Sequence, residues 1–226
     1  MRPLIIMNGE KIDWFHTVIR MLMYLAGVAV LALGMSLQTA SGLGVAALTC
    51  FATTLSMLTG KTLGFWITAT YVAYIVAQFT ILRREFQPRI LLELCFSTLI
   101  GGFTDFFMAV NPLHPAVLPI QVETMLLSLA VTAFGVSLVV NMGVVPNAPD
   151  GLVQVIAEKI KRRFGDVKVV FDCSHVAVSL VLSLALMHNL GGFGVTTAIS
   201  ALFLGHVINI ANKLFAQRFI RAAFGK

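Results

Sequence analysis

The sequence predicts an all-α polytopic membrane protein, with six transmembrane helices plus two short re-entrant or interfacial helices, arranged as an inverted 3+3 repeat. Three observations carry this expectation. Of 226 residues, 58% are hydrophobic and only 12% are charged, with a mean hydropathy of +0.90. Stretches free of Asp, Glu, Lys and Arg run from Met21 to Gly60, from Thr124 to Pro149 and from Cys173 to Asn212. A segment of the first half also recurs in the second. Spans of about 20 residues each consume nearly all the apolar content, so residues 1–226 read as a single membrane domain.

Taken in order, the spans fall at residues 17–38, 63–82, 90–109, 121–140, 169–188 and 193–213. The first continues beyond the length of a signal-peptide core and lacks a small-residue cleavage site, so it reads as a retained helix. Two further segments do not fit as spans. Residues 45–58 are apolar but reach only about 21 Å at roughly 1.5 Å per residue, short of about 30 Å of hydrocarbon. Residues 150–164 carry Glu158, Lys159, Lys161, Arg162 and Arg163.

Charge placement separates six crossings from eight. With six, 15 of the 16 basic residues share one side, including the groups around Arg84 and Arg163, and only Lys61 falls opposite, with His114. With eight, the division is 13 against 3. The positive-inside rule favours six crossings with both termini cytoplasmic. The net charge of +6 then reflects orientation in a membrane; nucleic acid is not an expected partner, because the basic residues sit in short clusters beside apolar segments.

The internal similarity pairs Ala32–Leu37 with Ala133–Leu138 at a separation of 101. Gly42 pairs with Gly143, Gly60 with Gly165, and Gly101 and Asp105 with Gly205 and Asn209. The halves, about 17–110 and 120–213, each hold a span, a short broken element and two more spans. Three crossings are odd, so the halves run through the membrane in opposite senses, as in many secondary transporters.

Three landmarks carry a family resemblance: Gly42-Leu43-Gly44-Val45 after the first span, Pro146 to Leu152 after its counterpart, and a turn at Phe164 to Lys168. Over residues 17–213 the chain resembles the YczE/YitT-like bacterial integral membrane proteins. That resemblance implies a multi-pass protein of the bacterial inner membrane and no particular reaction. The chain departs from the pattern at Ala46-Ala47-Leu48-Thr49, where the proline, tryptophan and aspartate of the first short element are missing.

Candidate functional residues follow from polar groups in apolar surroundings. Between Asn141 and Gly151 the prolines Pro146 and Pro149 and the two flanking glycines imply unwound chain. This is either a cytoplasmic loop before an amphipathic helix or a substrate-lining re-entrant element, with Asp150 as the expected helix cap. If the two broken elements meet near the midplane, Thr49, Asn147 and Asp150 line one cavity for substrate, with Asn209 as a further contact. Asp105 is an intramembrane carboxylate, which suggests an ion or proton pathway unless its place before Asn111-Pro112 puts it in the interface. Asp172 and His175 share a helix face and suit proton shuttling, with His206 as a further member; the alternative is a hydrogen-bonded core histidine. Glu93 reads as a local ion pair with Arg89. Gly34, Gly101, Gly102, Gly135, Gly191, Gly192 and Gly194 suit close helix packing or turns.

These readings imply a transporter or channel for a small polar or zwitterionic solute, with proton involvement; the alternative is a substrate-binding or regulatory membrane subunit of a larger complex. No nucleophile elbow, phosphate loop or dinucleotide fingerprint appears, so enzyme activity and a cofactor are not expected. The histidines and carboxylates lack metal-site spacing, and Cys50, Cys95 and Cys173 suggest neither a zinc site nor disulfides. The expected partners are the lipid bilayer and the solute, with homo-oligomerisation left open.

Overall fold

The computed structural model describes residues 14–83, 88–113, 115–145, 147–188 and 192–224. Arg84, His114, Pro146, Gly191, both chain ends and the Arg89 side chain lie outside the described residues. The described chain is helical without strands: α1 (Trp14–Ser41), α2 (Ala47–Thr59), α3 (Leu63–Leu82), α4 (Leu92–Val110), α5 (Leu118–Met142), α6 (Ala148–Ile160), α7 (Phe164–Leu182) and α8 (Val195–Phe224). A 3-10 turn, Pro88–Leu91, precedes α4, and α7 continues as a π-turn through Ser183–Met187.

Among the described residues six helices are long and apolar enough to cross a membrane, and α2 is a shorter apolar helix. The outward faces of the long ones carry Leu22, Phe79, Phe106, Leu126, Val181 and Phe203, all exposed. Apolar surface distributed around a whole bundle suits contact with lipid. The expected spans are all present; α3 has the expected bounds, while α8 continues to Phe224 and the Phe164 to Lys168 stretch forms the first turn of α7. The chain turns just before it, where Lys161 ends α6 in the left-handed region at φ 53°.

Local signals explain the breaks between helices. α5 begins with a proline in its first turn, where a missing amide costs nothing. It ends at Gly143, φ 55°, and Gly42 occupies the same left-handed conformation after α1, φ 71°. Thr62 caps α3 by accepting from the Phe65 amide at 3.2 Å. Arg20 of α1 donates to the carbonyls of Met142 and Gly143 at 2.6 and 2.7 Å, placing a cation at the end of α5.

At the centre α1 lies along α5. Gly34 leaves room only for Thr132, whose amide nitrogen would be 2.8 Å from a Cβ placed there, and Gly135 likewise faces the Leu31 amide nitrogen at 2.6 Å. Each of these residues stands 101 positions from its counterpart in the other contact. The same relation recurs in side-chain pairs: Asn111 donates to Ser36 at 3.2 Å, and Ser137 donates to Asn212 at 2.5 Å. α1 packs on α4 as α5 packs on α8, and α2 packs on α7 as α6 packs on α3. Two pairings have no match: α4 packs closely on α3, whereas α8 makes no comparable contact with α7, and α8 touches α1, whereas α4 makes no comparable contact with α5.

Gly60 and Gly165 occupy different places in their halves. Gly60 ends α2, as Lys161 ends α6, while Gly165 is the second residue of α7, the position that Gly64 holds in α3. The separation therefore stays at 101 through the short helices and the spans that follow them, and Asn111 with Asn212 carries it into α4 and α8, where Gly101 and Asp105 match Leu202 and His206 rather than Gly205 and Asn209.

Candidate functional site

α7 is apolar enough to span a membrane, yet Lys168, Asp172, His175, Ser179 and Ser183 recur along it at spacings of four, three, four and four. Such spacing puts them on one face. At roughly 1.5 Å per residue the stripe covers about 22 Å of helix, most of a hydrocarbon core. It faces the two short helices, because α7 packs on both α2 and α6.

At the start of the stripe, Lys168 Nζ lies 2.9 Å from Asp150 Oδ1 of α6 and 3.2 Å from Asp172 Oδ1. One cation between two carboxylates leaves the trio with a net negative charge. Asp150 was expected to cap α6, but Asn147 holds the cap position, and Asp150 lies in the first turn. There it still favours the positive end of the helix dipole. Asn147 lies beside Tyr71, with its Oδ1 buried and without a hydrogen-bond partner among the described residues.

Behind α6 sits a group that the sequence reading assigned elsewhere. Glu93 is 1% exposed, and its Oε2 accepts from Gln78 Nε2 of α3 at 2.7 Å. The same Gln78 nitrogen reaches the Ala148 carbonyl at 3.3 Å. Gly151 lets the carboxylate come this close: a Cβ on it would stand 2.8 Å from Glu93 Oε1, which would have to shift. Glu93 is thus packed against the first turn of α6; the side chain of Arg89, its expected ion-pair partner, lies outside the described residues.

Half-way along the stripe, Tyr74 and His175 are joined at 2.6 Å through the histidine Nε2. His175 Nδ1 lies 2.8 Å from the Phe171 carbonyl, which can only accept. Nδ1 therefore carries the hydrogen of the neutral ring, Nε2 accepts, and the Tyr74 hydroxyl donates. Phe51 and Phe171 enclose the imidazole edge-on and tilted. Further along, Ser179 Oγ contacts Cys50 Sγ at 3.1 Å and Thr54 Oγ1 at 2.7 Å, and Thr54 also meets Ser183 at 3.2 Å. These four are sealed, at 0 to 1% exposure. The Lys168, Asp172 and Asp150 side chains are 23, 25 and 38% exposed.

The remaining expected site residues are distributed elsewhere. Thr49 is buried in α2 and its hydroxyl donates to its own turn at Ala46, 2.9 Å away; α2 and α6 pack on α3 and α7 rather than chiefly on each other, so Thr49 does not join Asn147 and Asp150. Asp105 has a structural role: its oxygens accept from the Thr62 hydroxyl and the Gly64 amide, both at 2.7 Å, tying α4 to the start of α3. His206 and Asn209 are on exposed faces of α8 and make no hydrogen bond to the α6 cluster among the described residues. Of the expected set, the structure gathers Asn147, Asp150, Asp172 and His175 and adds Lys168, Tyr74, Gln78 and Glu93.

Unwound backbone ahead of α2 is satisfied by protein: Val45 donates to the Gly192 carbonyl at 3.1 Å, and Thr196 donates to that of Leu43 at 2.9 Å. Gly44 and Gly194 approach so closely there that neither tolerates a Cβ. A recess lined by Val30, Phe134, Val207, Ala211, Leu214 and Phe215 is apolar and suits a lipid chain rather than a polar solute.

No curated protein and no solved structure matches the chain. Residues 18–213 match a family defined as a family of unknown function, DUF6198, nearly the stretch that carries the alternating long and short helices. The chain belongs to the DUF6198 family.

Proposed function

We propose that this protein is a secondary transporter for a small polar solute, coupled to protons and built as an inverted repeat of α1–α4 and α5–α8. The polar stripe on α7 carries the reading. Polar and ionised groups inside a span are costly, and by default they line a solute or ion path. The exchange of packing partners between halves, at a constant separation of 101, supports the repeat. Short helices facing one stripe from opposite ends are what such a repeat produces.

The net negative trio at the start of the stripe and the buried Glu93 favour a cationic or zwitterionic solute, or a proton, over an anion. The charge distribution supports a bacterial inner-membrane location with the termini, Lys168 and Asp150 toward the cytoplasm and Lys61 outside. The likeness of the segments before α2 and α6 to YczE/YitT-like proteins fits the same reading. Nothing in the stripe assembles a nucleophile with a base, so we assign no covalent chemistry.

A thermal-shift screen against amino acids, polyamines and small amines should find ligands that stabilise the fold. The best ligand, radiolabelled, should then accumulate in proteoliposomes under an imposed pH gradient and leave when the gradient is collapsed. Binding without flux would replace this reading with that of a capture subunit needing a separate energising complex.

A further inference from the structure

We propose that the structure captures one of two alternating states, closed at the outer ends of α3 and α4 and open at the cytoplasmic start of α7. The other state arises when α8 closes over α7 as α4 now closes over α3. The sidedness rests on the transporter reading above; the existence of two states does not.

Three observations diverge between halves that otherwise match. In the first half Asp105 clasps both Thr62 and Gly64, and Gly64 and Gly101 are pressed so closely that a Cβ on either would overlap the other helix. In the second half the residue capping α7 is Arg163, with no side-chain cap bond, nothing lies within 4 Å of a Cβ placed on Gly165, and Leu202, which stands 101 positions after Gly101, is exposed. The polar groups near the open end are partly exposed, at 23 to 38%, while the hydroxyl cluster near the clasped end is sealed.

A glycine stands at the second residue of both α3 and α7, where it leaves the unfolded chain freer than alanine would. At Gly64 the close approach of α4 explains it; at Gly165 the present packing offers no reason. A state in which α8 reaches the first turn of α7 supplies one. By the same exchange, Thr49, now 4% exposed, takes the exposure that Asp150 has here, because the two are 101 positions apart.

The test reads the reactivity of Thr49→Cys toward a membrane-impermeant maleimide in oriented proteoliposomes, with Cys50, Cys95 and Cys173 replaced by serine. Lys61→Cys in the same background reports which face is outside. Asp105→Ala, which opens the clasp, should raise outside labelling of Thr49→Cys about tenfold, the factor for removing charge-assisted hydrogen bonds from one of two competing states. Adding Gly165→Leu, which fills open space and should fold, blocks the approach of α8 and should return labelling to the starting level. Unchanged labelling in Asp105→Ala, in protein that stays monodisperse with a cooperative melt, overturns the proposal. So does labelling that rises but ignores Gly165→Leu. Absent solute flux beside the expected labelling pattern would sink the transport reading and leave the two states standing.

Discussion

Gly34→Leu is expected to cost about 3 kcal/mol and to lower the thermal midpoint of the detergent-solubilised protein more than any lipid-facing substitution. The added side chain would have to enter the backbone of Thr132, already 2.8 Å from a Cβ at that position, and backbone cannot swing aside as a flexible side chain can. Helix association in lipid depends on close packing, since hydrocarbon offers no driving force for bringing apolar faces together. Gly135→Leu should match it, because its Cβ would meet the Leu31 backbone in the equivalent contact. Gly102→Leu is the control: nothing stands within 4 Å, and its effect should stay within about 0.5 kcal/mol. Equal midpoints for Gly34→Leu and Gly102→Leu would mean that the α1–α5 crossing does not hold the bundle together.

Lys168→Met should reduce solute flux at least about tenfold and destabilise the fold by roughly 2 kcal/mol, the lower side of the range for breaking a buried pair because all three side chains retain some exposure. Methionine keeps the length of the stem but leaves Asp150 and Asp172 facing each other with no cation between them. Adding Asp172→Asn removes that repulsion, so the double variant should recover most of the lost stability. Flux should stay low, because the site has lost its charge pattern. If the double variant regains flux together with stability, the trio acts as a brace between α6 and α7 and not as part of the path.

Much of this architecture was legible in the chain because a bilayer imposes length and apolarity on every crossing. All six spans and both short elements were anticipated, and the glycines after α1 and α5 marked the breaks. Boundaries were lost where a residue has two physical meanings. Gly165 reads as a turn beside charged residues, but it sits inside the first turn of α7, while Lys161 makes the actual break. Glu93 was read against Arg89, whose side chain lies outside the described residues; the Gln78 partner it has on α3 depends on how helices assemble and leaves no local pattern. Asp105 signalled an ion path by being ionisable in an apolar span; its contacts with Thr62 and Gly64 depend on how α4 meets α3 and leave no local pattern. The α7 stripe was partly visible in Asp172 and His175. Extending their spacing to Lys168, Ser179 and Ser183 would have traced it, but serines are ordinary in membrane helices and draw notice only once the face they share is known.

The hydrogen bond between Tyr74 and His175 has a direction, and the direction bears on how the membrane's proton gradient survives this protein. The imidazole N–H is committed to the Phe171 carbonyl of its own helix, so a proton reaching Nε2 from the tyrosine side has no onward acceptor through the ring. Handing it on requires the ring to turn or α7 to move, and edge-on Phe51 and the neighbouring Phe171 ring restrict the first. Under the proposed transport reading, the midpoint of the polar stripe therefore interrupts the donors and acceptors that lie on both sides of it. Protons should cross only as passengers of a conformational cycle. Liposomes carrying the protein without solute should hold an imposed pH difference as long as protein-free ones do, and a rapid standing leak would show that hydrogens pass this point without any change of shape.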